Sequence, residues 1–216
     1  MKTFQLEGSP REIVGKKATK TLRKQGLIPA ILYGQAPVEL PYQGVLKKGE
    51  KIVEIGANKG LIVMDFVVTS DKVRNLIYTP HIYLVELMLD GGVKTKAIIK
   101  ELQFHPVTDS LLHIDFLEVF EGKPIVIEVP VVLEGHAEGV KAGGKLNLEM
   151  RKLRVKAQYD KIPEKLTVNV DKLGLGKSIQ IGDLHFEGLE LTNAKNAVVC
   201  SVKLTRAARG LEAAKG

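Results

Sequence analysis

The sequence of 216 residues is poor in cysteine and in aromatic residues. It contains one cysteine, Cys200, no tryptophan, and an aromatic fraction of 5%. An internal disulfide and a cysteine-based zinc site are therefore excluded, and the core is expected to be aliphatic. Cys200 lies in the alternating segment AVVCSVKL, which predicts a small buried hydrophobic residue rather than a reactive thiol.

Long apolar runs are also absent. No stretch approaches the 18 apolar residues of a membrane-spanning helix, and the segment MKTFQLEGSP lacks the apolar region of a signal peptide. We therefore expect a soluble, cytoplasmic protein with no membrane partner. Hydrophobic residues still make up 44% of the chain, which is enough for a folded core and excludes a disordered protein.

Acidic residues are scarce in one segment of this basic chain. The formal net charge is +7, and residues 9–24 hold six basic residues and one acidic residue, whereas the rest of residues 1–120 is slightly negative. Concentrated positive charge is typical of proteins that bind anionic polymers.

A helix is predicted over about residues 17–25, with Gly26 as its C-terminal stop. At 100° per residue, one face of about 100° collects Lys16, Lys20, Arg23 and Lys24. Like charges four residues apart destabilise a helix by roughly 0.2–0.5 kcal/mol per pair. A stripe of one sign therefore favours a nucleic-acid partner, with an ordinary solvated surface as the alternative.

Alternating apolar and polar residues predict a mostly β chain with a few short helices. A second helix is predicted over about 71–78, capped by Ser70 or Asp71. The segment DGG (90–92) predicts a hairpin turn. Residues 44–60 give no clear signal and are interpreted as a long loop or an irregular hairpin.

The pattern predicts two mostly β domains joined near residue 122. These are residues 1–120 and residues 121–205, followed by a basic tail, 206–216, that is expected to be frayed or ordered by a partner. Pro130, inside an alternating run of the second domain, predicts an edge position or a bulge.

Two features of the sequence suggest nucleotide binding, metal binding or catalysis, but each lacks residues that such a site requires. DKLGLGKS (171–178) is similar to a phosphate-binding loop, but it lacks the first glycine, and a strand rather than a helix is predicted after it. His113 and Asp115 could be metal ligands or a catalytic pair, yet no third ligand and no nucleophile are evident. Side chains at i and i+2 of a strand are expected to point in parallel, not at each other. We therefore predict that the protein is not an enzyme.

Three motifs of the first half resemble a known family. LRKQGLIPAILYG (22–34), LQFHP (102–106) and LHIDF (112–116) are similar to the bacterial 5S rRNA-binding ribosomal proteins of the Ctc type, protein twenty-five of the large subunit. In the second half, EGVKAGGKLNLEMRKLRVKA and IPEKLTVNVDKLGLGKSIQIGDL resemble the C-terminal domain of the long form. The three N-terminal motifs keep the order and approximate spacing of the family.

The resemblance implies a closed β-barrel that binds the loop E region of 5S rRNA, followed by a β-rich C-terminal domain. It also implies a place on the large ribosomal subunit, with other ribosomal proteins or 23S rRNA as partners of the C-terminal domain and the tail. No cofactor is expected apart from Mg²⁺ that accompanies rRNA. The candidate RNA-binding residues, from the resemblance and the basic stripe, are Arg11, Lys16, Thr19, Lys20, Arg23, Lys24, Tyr33, Gln103, His113 and Asp115.

Within this set we expect Arg11, Lys20 and Arg23 to bind phosphates and set the position of the RNA. An aspartate near RNA repels phosphate. Asp115 is therefore expected either to accept a hydrogen bond from a base or ribose group, or to hold His113 or an arginine in place. Ile114 and Phe116, which alternate with this pair, should point into the core.

A stress-related accessory or interaction protein with secondary RNA binding is the alternative function. In that case the second domain would engage a protein partner, and residues 121–205 should carry an exposed apolar patch.

Overall fold

The computed structural model describes residues 1–11, 15–34, 38–40, 44, 46, 50–56, 59–89 and 93–205. The chain divides into two compact units, Met1–Lys123 and Pro124–Gly216. The predicted turn at 90–92 and the predicted tail at 206–216 lie outside the described residues. In the described part of the chain, no helix has the length and apolar character needed to cross a bilayer.

The first unit contains eight strands and two helices in its described residues. The strands are β1 (Lys2–Pro10), β2 (Leu27–Tyr33), β3 (Val38–Glu39), β4 (Glu50–Gly56), β5 (Lys59–Thr69), β6 (Tyr83–Leu89), β7 (Val93–Phe104) and β8 (Leu111–Glu118). The helices are α1 (Lys16–Lys24) and α2 (Ser70–Ile77).

Six of these strands form a closed barrel, which confirms the predicted fold. Their order is β1-β6-β7-β8-β2-β5, and β5 returns to β1 through the pairs Ser9↔Val67 and Pro10↔Phe66. The pairs β1–β6 and β2–β8 are parallel, and the other neighbours in the barrel are antiparallel.

The barrel core is built by alternate residues of each strand. Ile114 and Phe116 of β8 are 0% exposed, as predicted, and the Phe116 ring lies 5.6 Å from the ring of Phe66. At Gly8, where the barrel closes, a Cβ atom would lie 2.9 Å from the Phe66 side chain and 3.0 Å from the Val67 carbonyl oxygen. The closing strand therefore approaches β5 at a distance that suits only glycine.

One detail of the first unit agrees with the sequence-based prediction, and another differs from it. β4 pairs with β5 and its register shifts between Glu54 and Gly56, so the irregular hairpin, one of the two interpretations of residues 44–60, is confirmed for the described residues of β4 and β5. The second helix begins at Ser70, with Thr69 as the N-cap and no side-chain capping bond. The prediction that Ser70 or Asp71 caps this helix is therefore wrong, since both residues already lie in its first turn.

The second unit is also β-rich, as predicted. Its elements are β9 (Pro124–Glu134), α3 (Glu138–Lys141), β10 (Lys145–Leu148), β11 (Lys152–Gln158), β12 (Leu166–Asn169), β13 (Ser178–Gln180), β14 (Glu190–Leu191) and β15 (Val198–Lys203), with 3₁₀ turns at Tyr159–Lys161 and Ile181–Asp183. They form a sheet in the order β12-β9-β11-β14 and a second sheet in the order β10-β15-β13. Cys200 is buried on β15, as predicted, and burial raises the pKa of its thiol.

Pro130 has a paired neighbour strand on one side only, which agrees with the predicted edge position. β9 pairs with β11 up to Pro130↔Lys152, and its pairing with β12 starts at Leu166↔Val131. The proline, which has no N–H to donate, therefore stands where β9 changes its partner.

We predict that Gly8→Ala destabilises the first unit by about 1–3 kcal/mol, because the added methyl group overpacks the contact with Phe66 and Val67. Gly34→Ala is the matched control, since a Cβ there meets its nearest atom at 3.4 Å, and it should change stability much less. Urea unfolding followed at the amide NMR signals of β1 and β6 measures the effect in this unit. Equal stabilities of the two variants would contradict the close approach.

Candidate nucleic-acid interface

The outer face of β8 carries the polar residues that alternate with its core residues. His113 is opposite Gln103 on β7, and Asp115 is opposite Glu101. On the other side of β8, Asp115 is in register with Ile31 of β2. Tyr33 follows Ile31 by two residues and therefore lies on the same face. The barrel thus brings Tyr33, Gln103, His113 and Asp115 together.

A hydrogen-bond network joins three of these side chains. The Nδ1 atom of His113 is 2.6 Å from Oδ1 of Asp115, and the Tyr33 hydroxyl donates to Oδ2 of Asp115 over 3.3 Å. The expectation that His113 and Asp115 do not point at each other is therefore wrong. Both side chains leave the strand on one side, and the imidazole is long enough to turn along the strand and reach the carboxylate.

Asp115 fixes both of its neighbours. Because a carboxylate only accepts hydrogen bonds, Nδ1 of His113 must carry the proton of their bond, which leaves Nε2 as the second ring nitrogen. The His113 and Asp115 side chains are 19% and 14% exposed. Burial raises the pKa of the Tyr33 hydroxyl above its usual value, and the Asp115 carboxylate raises it further. Tyr33 therefore keeps its proton at neutral pH.

Helix α1 presents the predicted basic stripe. The four cations of the stripe are exposed, and they are Lys16, Lys20, Arg23 and Lys24. Among the described residues, no carboxylate lies within salt-bridge distance of any of these four side chains. At 100° per residue, Lys17 lies beside Lys24 and widens the stripe. The hydroxyl of the half-buried Thr19 donates to the Gly15 carbonyl over 2.9 Å, so its proton is used within the helix.

Arg23 connects the basic helix to the polar face of β8. Its Nε and Nη2 atoms donate to the carbonyl oxygen of Leu112 over 3.1 Å and 2.9 Å. Leu112 directly precedes His113, so the stripe and the polar network form one surface. The acceptor is neutral, and Arg23 therefore keeps its full positive charge beside this surface.

Arg11 is held at the end of β1. Its backbone N–H donates to the Asp65 carbonyl over 2.9 Å. Its Nε and Nη1 atoms are buried, and in the described part of the chain neither has a hydrogen-bond partner. Such groups are expensive to leave unpaired. As the structure places them, these two buried atoms are not accessible to an external anion.

Sequence reasoning did not identify Asp65, Lys51 and Glu101 as parts of this face. Asp65 is 4% exposed, is in register with Ile31, and forms a salt bridge with Lys51 of β4. A single carboxylate within the apolar run GLIVMDFVV was the available signal for Asp65. Lys51 lies in the segment whose sequence pattern was unclear.

The two features with other possible chemistry lack supporting geometry. After Lys177 the chain enters strand β13 and then a three-residue 3₁₀ turn, so the amino end of an α-helix does not follow this glycine-rich segment. Within the described ranges, no group of three or more His, Cys, Asp and Glu side chains is placed to hold a metal ion.

The second unit exposes several apolar side chains, which bears on the alternative function. Val126 and Val132 lie on the outer face of β9 and are separated there by Glu128 and the partly buried Pro130. Glu128 forms a salt bridge with Arg154 over 3.3 Å. Charged groups therefore interrupt this apolar row.

We predict that Arg23→Ala loosens α1, because the helix has no buried residue and its like charges repel one another. Amide hydrogen exchange over residues 16–24 should become faster, while exchange in β6 stays unchanged. Lys24→Ala is the matched control: it removes one repelling charge and no contact to β8, so exchange should not accelerate. Unchanged exchange in Arg23→Ala would show that the bonds to Leu112 do not hold the helix.

Two family models match the chain, one in each unit. The model of the Ribosomal L25p family matches residues 6–116, and that of the C-terminal domain of ribosomal protein TL5 matches residues 124–206. The second match begins at the first residue of the second compact unit.

Curated relatives match over nearly the full length. The large ribosomal subunit protein bL25 of Porphyromonas gingivalis is 60% identical over 210 residues, which cover 97% of each chain. The protein of the same name from Parabacteroides distasonis is 60% identical over 99% of each chain, and that from Phocaeicola vulgatus is 52% identical over the whole of both. These relatives are ribosomal proteins by name, not enzymes. The chain belongs to the Ribosomal L25p family, in a two-unit form that also carries a TL5-type C-terminal domain.

Proposed function

We propose that the chain is a structural component of the large ribosomal subunit and that its first unit binds 5S rRNA at the loop E region. The names of the relatives support the first part of this proposal. The observation that carries the second part is the continuity of the basic helix α1 with the polar face of β8 through the bonds from Arg23 to Leu112.

The cations of this surface supply affinity. Lys16, Lys20 and Lys24 on α1 contact phosphates and set the position of the RNA, and Arg11 joins them only through the part of its guanidinium outside the buried Nε and Nη1 atoms. These contacts carry no sequence information, and they weaken as salt concentration rises.

The polar network discriminates the minor groove of loop E from other RNA surfaces. A-form RNA exposes base edges and 2′-hydroxyls in a wide, shallow minor groove, and non-standard pairs such as those expected in loop E change its shape. Nε2 of His113, the Tyr33 oxygen and the Gln103 amide offer hydrogen-bonding groups to that groove. Asp115 orients two of these three groups and repels phosphate. It therefore favours contact with the minor groove of the RNA over contact with the RNA backbone.

The second unit is proposed to contact other ribosomal components, either 23S rRNA or ribosomal proteins. Its outer face on β11 exposes Lys152, Arg154 and Lys156, and two of these cations form salt bridges with glutamates of neighbouring strands. The outer face of β11 is therefore less available to phosphate than α1. Binding to isolated 5S rRNA is assigned to the first unit alone.

The first test is the salt dependence of 5S rRNA binding by the full chain. Lys20→Ala should weaken binding and reduce the slope of log K against log salt by roughly 0.7–0.9, because one phosphate contact is lost. Lys152→Ala removes the same charge from the second unit and should leave affinity and slope unchanged. If the two substitutions had equal effects, RNA binding would depend on the overall charge of the chain and not on the cations of α1.

The second test concerns discrimination. Asp115→Asn keeps the shape of the side chain but removes its charge and one of its two acceptor oxygens. Binding to 5S rRNA should weaken by about 1–3 kcal/mol, while binding to a 5S rRNA whose loop E is rebuilt from Watson–Crick pairs should change little. Tighter binding of both RNAs would instead show that Asp115 only repels phosphate.

A further inference from the structure

A groove of about 610 Å³ lies between the end of α1, the length of α2 and the start of β8. Hydrogen bonds to backbone carbonyl groups hold its walls. The Ser70 N–H donates to the Gly26 carbonyl over 2.9 Å, which ties the start of α2 to the end of α1. The bonds from Arg23 to the Leu112 carbonyl tie α1 to β8. The groove is therefore a formed feature of the fold, of a size that suits a small ligand.

The groove combines an apolar floor with a polar rim. Leu27, Ile77 and Leu111 are partly accessible in it. Its charged lining residues are Arg23, Asp71 and Arg74, and its hydroxyl-bearing lining residues are Ser70, Ser110 and Tyr78. Tyr78 is 66% exposed, which is high for an aromatic residue that contacts a structured groove.

This chemistry fits a nucleotide. A base presents two apolar faces, which stack on aromatic side chains, and polar edges, which pair with hydroxyl and carboxylate groups. Its phosphate requires cations, and Arg23 and Arg74 supply two. A hydrophobic peptide would leave the charges of Arg74 and Asp71 without partners.

The position of the groove identifies where the nucleotide comes from. Arg23 lines the groove and also joins α1 to β8, so an RNA on the basic stripe already reaches the groove's edge. The bonds to Leu112 use Nε and Nη2 and leave the N–H groups of Nη1 for another acceptor.

We propose that this groove binds one unpaired nucleotide of the RNA that lies on α1 and β8. The proposal rests on the proposed function, because it requires RNA on that surface. It adds a second site to the face of the barrel that contacts the minor groove: a site for a base displaced from its stack, formed by Arg74 of α2 and by Tyr78 directly after this helix.

The test is chemical probing of 2′-hydroxyl reactivity along 5S rRNA saturated with the full chain, together with affinity measured at one salt concentration. The variants are Tyr78→Ala and Arg74→Ala, whose side chains are exposed, so the fold should persist and can be checked by thermal unfolding. Tyr78→Phe is the control that keeps the ring. Lys72→Ala is the control for charge, since Lys72 is on α2 but pairs with Glu7 outside the groove.

With the wild-type chain and Tyr78→Phe, we expect protection of an unpaired nucleotide next to the α1 footprint. Tyr78→Ala should restore its reactivity and weaken binding about tenfold, and Arg74→Ala should act in the same direction. Lys72→Ala should leave both readouts unchanged. Identical protection of that nucleotide by all variants would overturn the nucleotide site. The same result is expected if a protein segment, and not a nucleotide, occupies the groove. Absence of any protection by the wild-type chain would instead overturn the proposed function.

Discussion

Closure of the barrel is the constraint on which the rest of the first unit depends. β1 pairs with β6 on one side and with β5 on the other, so every strand of the barrel has two neighbours. A closed sheet fixes which alternate residues face inward, because a slip of one residue would exchange the two faces of a strand. Burial of Ile114 and Phe116 therefore places His113 and Asp115 outside.

The outer surface has two parts of opposite charge. Helix α1 carries only cations on its exposed stripe, whereas the adjoining face carries the carboxylates of Asp115 and Glu101, and its third carboxylate, Asp65, is buried and paired with Lys51. A polyanion would be attracted to the helix and repelled by the face. In the proposed complex, the RNA backbone is therefore directed to α1, and base or ribose groups approach the network around Asp115. Repulsion among the like charges of α1 disfavours the isolated helix, and the bonds from Arg23 to Leu112 join the helix to β8.

Much of the fold was predictable because alternation and glycine positions are local signals. The strands of both units, the basic helix and the inward direction of Ile114 and Phe116 follow from such signals. The contact of Arg23 with Leu112 was not predictable, since 89 residues separate the two and only the parallel pairing of β2 with β8 brings them together. Asp65 was missed for a related reason: its partner Lys51 lies in a segment without a clear pattern.

The error about His113 and Asp115 has a different cause. Strand geometry gives the direction in which each Cβ leaves the backbone, but it does not determine the rotation of a long side chain around χ1 and χ2. Pro130, by contrast, was predictable, because a proline has no N–H to donate and is tolerated where its strand is paired on one side only.

Lysine acetylation footprinting of the full chain, free and bound to 5S rRNA, locates the RNA interface on the protein. If the barrel binds the RNA, Lys16, Lys20 and Lys24 lose reactivity on binding, while Lys145, Lys152 and Lys177 of the second unit keep theirs. Protection of the second-unit lysines with unchanged reactivity on α1 would contradict the assignment of the interface to the barrel.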